Sequence, residues 1–291
     1  MTHTGSTSGL TDTQMSVTIR NEKPVTSVYY GFAVNMPTGE SRFARYGVVP
    51  EGLARFTDFG AGWQFIPSIE VVHRLKENDR LTGRFSYAVR RGYDYSQEVP
   101  SAHVSPGNIF SQEIEYLHTG DKKMYMVQLY HSSTSSAVQD AVDVDSRMIT
   151  GRTNYRDGDD WELRFFYNRA ISKKDELRFY TIYSLTEAAH GIASQEVGRQ
   201  YYGLGLRHRA SAQLTWQLMA HYQTVDRTYD PLRTALNTGG GFKRRSLLAG
   251  IEWKPSERKN VTFQLERYVR SDDGGAGYNG WGAALWYQQS V

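Results

Sequence analysis

The chain has no cysteine among its 291 residues, which excludes disulfides, thiolate zinc sites, iron–sulfur ligation and a cysteine nucleophile together. Nor does it hold an apolar stretch of about eighteen residues, so no segment is fit to cross a bilayer as a helix. An excess of one charge is missing too, since 34 Lys and Arg stand against 31 Asp and Glu. That balance does not suit a protein whose main partner is a phosphate backbone, and no nucleic acid is expected. Thr2 to Thr13 is Ser-, Thr- and Gly-rich without a basic start or an apolar run, and does not read as a signal peptide. An exported protein of this sequence is expected to be a mature or trimmed form to which Met1 was added.

Two properties then pull against each other. The mean hydropathy is −0.58, yet aromatics make up 13% of the chain, with 20 Tyr and 6 Trp. A transmembrane β-barrel reconciles them, because its strands alternate an apolar outer face with a polar inner one and gather rings at both headgroup levels.

Period-two alternation recurs along the chain. Val28, Tyr30, Phe32, Val34 and Met36 alternate with Ser27, Gly31, Ala33 and Asn35. From Phe59, the positions Ala61, Trp63, Phe65, Ile69 and Val71 oppose Gly62, Gln64, Ser68, Glu70 and Arg74, with Pro67 predicting a bulge or an edge-like irregularity. The pattern continues through Phe85 and Tyr87, Ile114 and Tyr116, Val127 and Leu129, Leu163 and Phe165, Leu204, Leu218, Ile251, Phe263 and Leu285. Short charged turns at 76–80, 172–176 and 255–260 alternate with long polar connections at 37–58, 94–108, 132–160, 187–200, 226–241 and 271–279, as in outer-membrane barrels with long loops outside.

This pattern predicts an all-β fold, an up-and-down antiparallel transmembrane barrel of 12 strands with both termini at the short-turn end. The barrel occupies 25–291 as a single domain, and 1–24 is a polar tail that contains part of a strand at most. Counting Thr13 to Asn21 and Arg147 to Tyr155 as strands gives 14, the alternative; the preferred reading makes the second a protruding loop hairpin. Twelve strands about 4.8 Å apart, tilted by about 40°, give a backbone diameter of roughly 24 Å and a lumen of ~10 Å. Such a lumen admits small solutes or a plug, not a folded protein.

The inner face then carries Gln64, Glu70, Arg74, Arg84, Arg90, Glu113, Glu115, Gln128, Glu162, Arg164, Arg178, Arg207, Arg209, Gln217, His221, Glu252, Gln264 and Glu266 as candidate pore-lining residues. Ionisable side chains at membrane depth are costly against lipid, so they imply a wet or internally paired interior. Two roles are open to them, bracing the lumen and selecting solutes. Tyr29, Tyr30, Trp63, Tyr93, Tyr125, Trp161, Tyr183, Tyr202, Trp216, Trp253, Trp281 and Tyr287 are candidates for the interfacial girdles.

One cluster has catalytic types. Tyr130-His131-Ser132-Ser133 sets His131 and Ser133 two apart on the lipid-side face, a base beside a nucleophile. The spacing resembles the His-x-Ser pair of outer-membrane phospholipase A and the lipid A deacylases, although Thr134 stands where those families usually have Asn. Asp143, Asp145 or Asn154 would have to orient the His. The Ser- and Thr-rich run that follows also reads as a solvated loop, and an enzyme is the lesser reading. No His pair has metal-ligand spacing, and the loop acids Asp140, Asp143, Asp145 and 157–160 are Ca²⁺ candidates that turn chemistry also explains. No metal and no cofactor are expected.

The alternation resembles Gram-negative outer-membrane barrels in general. Pro37-Thr38-Gly39-Glu40-Ser41, followed by Phe59-Gly60-Ala61-Gly62-Trp63, resembles the channel-type barrels of the phenol-degradation-operon group and the FapF-like amyloid exporters. The coiled coil and plug helix of the exporters have no counterpart in this sequence. The resemblance implies residence in the bacterial outer membrane and a channel or porin passing small solutes, or a barrel for export. The alternatives are a membrane-embedded acyl hydrolase and a structural barrel whose loops bind a partner. Outer-membrane lipid, lipopolysaccharide and small solutes are the expected partners, with a protein partner expected at the long loops, above all the 132–160 connection.

Overall fold

The computed structural model describes residues 12–39, 62–96, 99–143, 145–191, 196–227, 241–256, 258–273, 275 and 277–289. Expectations placed on Glu40, Ser41 and Phe59 to Ala61 lie outside the described residues. Among these, thirteen strands form one antiparallel sheet in the order β1 (Thr13–Asn21), β2 (Thr26–Met36), β3 (Gln64–Lys76), β4 (Asp79–Arg90), β7 (Ile109–Thr119), β8 (Lys123–Thr134), β11 (Asp160–Ala170), β12 (Asp175–Thr186), β13 (Val197–Arg209), β14 (Leu214–Arg227), β15 (Phe242–Ser256), β16 (Lys259–Asp272) and β17 (Gly277–Gln289). Four further strands, β5 (Tyr93–Asp94), β6 (His103–Ser105), β9 (Ala137–Asp143) and β10 (Met148–Tyr155), make a separate small sheet. Most large-sheet strands have 11 to 15 residues, enough to cross a hydrocarbon core when tilted.

The expected count of 12 is therefore corrected to thirteen, and only one of the two additions that would make 14 joins the sheet. Thr13–Asn21 pairs with β2 along its whole length, from Thr13↔Met36 to Asn21↔Val28, and extends the sheet into the stretch expected to be a tail. Its inward half is Gln14, Ser16, Thr18 and Arg20, so it reads as polar, yet Met15, Val17 and Ile19 complete the alternation. An odd count sends β1 and β17 in the same direction. The start of β1 lies at the long-connection end and the end of β17 at the turn end, which corrects the expectation of both at the turn end. Among the described residues no ladder joins β1 to β17.

The burial is inverted relative to a soluble protein. Ile114, Leu163, Leu204, Leu218, Leu247 and Leu285 are all exposed, at 45 to 70%, whereas Thr82, Glu115, Gln128 and Ser132 are buried. Apolar residues turned outward in register across the whole sheet, with polar residues enclosed, are the arrangement that lipid as solvent selects. Pro67 interrupts the ladder to β4, which runs Phe65↔Val89 and then Ser68↔Ser86, without changing register. It makes an edge-like gap, not the bulge considered above, because its missing N–H removes a rung and nothing more.

Turns close the strands with their own side chains. Ser172 Oγ accepts from the N–H groups of Lys174 and Asp175 at 3.0 Å and donates to Asp175 Oδ2 at 2.6 Å, and Ser211 Oγ accepts from the Leu214 N–H at 3.0 Å. Most of the buried apolar side chains among the described residues belong to the small sheet and the segment leading into it, where Val99, Ala102, Val104 and Ala137 are buried. The β9–β10 hairpin continues β8 and β11 beyond the large sheet, as expected for the Arg147 to Tyr155 segment.

Inside the sheet, the Tyr180 ring lies across Gly203 of the next strand, where any Cβ would meet the ring. Gly203→Ala is expected to displace the ring and cost about 1–3 kcal/mol. Gly198→Ala, on the same strand in open space, is expected to leave the urea midpoint of the detergent-folded protein unchanged, and comparing the two midpoints checks the claim.

Candidate functional site

The ladder registers set every candidate pore-lining residue on the face opposite the exposed apolar series. Gln64 faces Arg90, Glu70 faces Arg84, and Arg84 faces Glu113 on the next strand. Glu115 faces Gln128 and Gln128 faces Arg164. Gln217 sits beside Arg207, and Glu252, Gln264 and Glu266 follow at the same parity on β15 and β16. Arg74, Glu162, Arg178, Arg209 and His221 share that face. The same parity adds Arg80, Glu176, Arg199, Arg244 and Asp272, which the sequence reading missed.

Ion pairs run round this face. Arg84 binds Glu70 through Nε at 2.5 Å, Glu113 through Nη1, and Glu115 at 3.2 Å, while Arg80 holds the other oxygen of Glu115 at 3.2 Å. Arg164 pairs with Glu162 and donates to Gln128 Oε1 at 3.1 Å. Beyond it come Arg178–Glu176 at 2.6 Å, Arg207–Glu252 at 2.7 Å with Lys254 on the second oxygen, and Arg244–Glu266 at 2.7 Å. The Arg244 guanidinium also lies 4.4 Å from the centre of the Tyr268 ring, a further contact for a desolvated cation. The inward faces of β1, β2, β3, β4, β7 and β8 line a cavity of about 620 Å³, with Arg20, Tyr29, Glu70, Arg84, Glu113 and Tyr130 among the lining residues.

The pairing leaves cations over. Arg90 and Arg199 at the long-connection end, and Arg74 and Arg209 at the turn end, have no carboxylate partner among the described residues. Arg199 donates to Thr186 Oγ1 at 3.2 Å, and Arg90 reaches the Gly107 carbonyl at 3.5 Å. Asp160, inward at the long-connection rim, likewise has no ion-pair partner among the described residues.

The His131–Ser133 pair is not assembled as a base and a nucleophile. Both ring nitrogens of His131 are engaged elsewhere, Nδ1 with Gln112 Nε2 at 3.0 Å and Nε2 with Asp159 Oδ2 at 3.4 Å. The ring packs on Trp161, with centroids 4.0 Å apart, and Arg156 holds the other Asp159 oxygen at 2.8 Å. None of the expected orienting residues is there. Asp143 accepts from the Asp145 and Ser146 N–H groups at the hairpin tip, and Asn154 stands in the β9–β10 ladder. With Gln112 donating to Nδ1, the Nε2 proton is directed at Asp159, so no ring nitrogen remains for Ser133.

Of the loop acids, Asp140 is committed as well. Asp140, buried in the small sheet, accepts from the His103 N–H and from Arg152 Nε, each at 3.0 Å; that backbone bond first, then Arg152, holds its carboxyl below the usual range. Among the described residues no group of three or more His, Asp or Glu could hold a metal. Of the girdle candidates, Tyr30, Trp63, Trp161, Tyr183, Tyr202, Trp216, Trp253, Trp281 and Tyr287 are exposed. Tyr29 faces inward opposite Glu70, and Tyr93 belongs to the small sheet. Adjacent Tyr29 and Tyr30 cannot share a face of one strand.

Solved structures share the fold. The outer membrane channel DcaP of Acinetobacter baumannii superposes with a TM-score of 0.51 at 10% identity, over 97% of this chain and 85% of that one. The fold is that of a Gram-negative outer-membrane β-barrel. A second barrel, the closed form of the ferric-catecholate import receptor Fiu from E. coli K12, aligns with a TM-score of 0.52 at 11% identity, over 94% of this chain and 54% of the receptor. The CymD monoaromatic hydrocarbon channel is more distant, with a TM-score of 0.44 at 12% identity over 97% of this chain and 87% of that one. No family model and no curated protein matches the sequence. The outward apolar face and this fold together assign the chain to the bacterial outer membrane.

Proposed function

We propose that the protein is an outer-membrane diffusion channel for small solutes, favouring anions at both mouths. The observation that carries the reading is the inward charge lining, in which ion pairs brace the wall and Arg74, Arg90, Arg199 and Arg209 are left without carboxylate partners. Unpaired guanidinium groups at the two ends of a water-filled path raise the local concentration of anions, and paired ones inside contribute rigidity more than field. In this reading the pore-lining set is Gln64, Glu70, Arg74, Arg84, Arg90, Glu113, Glu115, Gln128, Glu162, Arg164, Arg178, Arg207, Arg209, Gln217, His221, Glu252, Gln264 and Glu266, joined by Arg80, Glu176, Arg199, Arg244 and Asp272.

Reconstitution into planar bilayers tests it. Stepwise conductance with a reversal potential displaced toward anion selectivity is the expected result, and the double variant Arg90→Gln, Arg199→Gln is expected to reduce that displacement while the step persists, with Arg74 and Arg209 at the other mouth accounting for what remains. Ser133→Ala is expected to change neither. A tight bilayer without steps would overturn the channel reading, and phospholipid hydrolysis lost in Ser133→Ala would establish the acyl-hydrolase alternative instead.

A further inference from the structure

A cleft at the short-turn end, on the lipid-facing side, has a chemistry that the solute path does not use. It lies where the β7–β8 turn meets the end of β11, and its volume is about 790 Å³. Lys122, Lys123 and Arg169 line it together with Tyr167, Ile171 and Leu177, and Asp121 is the acid on its lip. Lys123 and Arg169 are directly opposite in the β8–β11 ladder. Like charges in that position destabilise a strand pair, and neither has a carboxylate partner among the described residues.

Their side is the lipid side. The next same-face pair is Tyr167↔Tyr125 and the one after it Phe165↔Val127, the latter level with the outward apolar series. Moving from the turn toward the middle of the sheet, the surface therefore passes from cations to aromatic rings to aliphatic side chains. Ile171, in the adjoining turn, is 61% exposed. A phosphate with two attached acyl chains has the same order of chemistry along its length.

We propose that this cleft binds an anionic glycerophospholipid of the leaflet at the short-turn end. Arg169 and Lys123 hold the phosphate, the first through its planar donors and the second as a point charge, and the acyl chains lie along Tyr125, Val127 and Phe165. The bound anion cancels the repulsion across the ladder, so the lipid acts as a staple between β8 and β11. A free phosphate would satisfy the cations and leave the apolar wall uncovered, which is why a lipid is the better occupant.

The test uses the intact protein folded in detergent, titrated with phosphatidylglycerol or phosphatidylcholine, with bound lipid counted by native mass spectrometry. Wild type is expected to retain phosphatidylglycerol at an about tenfold lower concentration than phosphatidylcholine. Lys123→Gln with Arg169→Gln is expected to bring the two within about twofold, whereas Lys173→Gln with Lys174→Gln, the same charge change on the neighbouring turn, preserves the preference. Should the first variant not fold, Lys123→Gln alone is expected to give an intermediate ratio. The proposal is overturned if the Lys123 and Arg169 variants keep the full preference, or if the Lys173 and Lys174 variant loses it equally. It is also overturned if inorganic phosphate displaces phosphatidylglycerol at matched concentration, an outcome that would mark a free-anion site.

Discussion

Arg84→Met is expected to lower the stability of the folded barrel by about 2 kcal/mol and to be rescued in large part by Glu113→Gln. Arg84 is the shared partner of Glu70, Glu113 and Glu115, whose side chains are 34, 17 and 8% exposed. Removing one partner of a buried ion pair costs about 3–5 kcal/mol, because the remaining charge is left desolvated. Here the guanidinium is 36% exposed, and solvent screening lowers that figure. Arg80 also remains on Glu115, so Glu70 and Glu113 bear most of the loss. Urea midpoints of the detergent-folded single and double variants form a cycle in which a restored midpoint identifies charge imbalance as the cause. If the double variant is no more stable than Arg84→Met, packing by the arginine stem is the larger contribution.

Much of this wall was legible in the sequence because strand parity is a property of the chain itself. Once Leu163 and Phe165 point to lipid, Glu162 and Arg164 point inward, whatever the neighbouring strands do. What escaped was of four kinds. Arg244 lies between Lys243 and Arg245, and three consecutive cations show no alternation, so only the β14–β15 ladder identifies the inward one. Thr13–Asn21 alternates as regularly as its neighbours, but its weight of polar residues reads as a tail until pairing with β2 is known. Asp159 could not be tied to His131 from spacing, because the residues between them leave the large sheet as the β9–β10 hairpin; the ladder that returns Trp161 to the position opposite His131 brings Asp159 with it. The small-sheet core of Val99, Ala102 and Val104 comes from segments too short and irregular to carry a period.

Leu129→Arg is expected to be the most damaging single substitution on the outer face. Leu129 stands near the middle of β8, opposite Ile114 on one side and Leu163 on the other, and is 46% exposed on the apolar face. An arginine on the lipid face of a barrel costs about 2–4 kcal/mol at the bilayer midplane and about 0–1 near the interfaces, and from mid-strand the side chain must bend far to reach either headgroup layer. Gln264→Arg places the same group near the middle of β16 but on the inward face, between Gly250 and Ala284, where small neighbours leave room and water or Glu266 can receive it. The first variant should therefore fold into phosphatidylcholine vesicles with a markedly reduced yield and a lower urea midpoint, while the second folds as wild type does. Folded fractions read from heat-modifiable mobility on gels distinguish the two. Equal tolerance of both would mean that the face carrying Leu129 does not meet hydrocarbon, and the inverted burial on which the membrane assignment rests would need another cause.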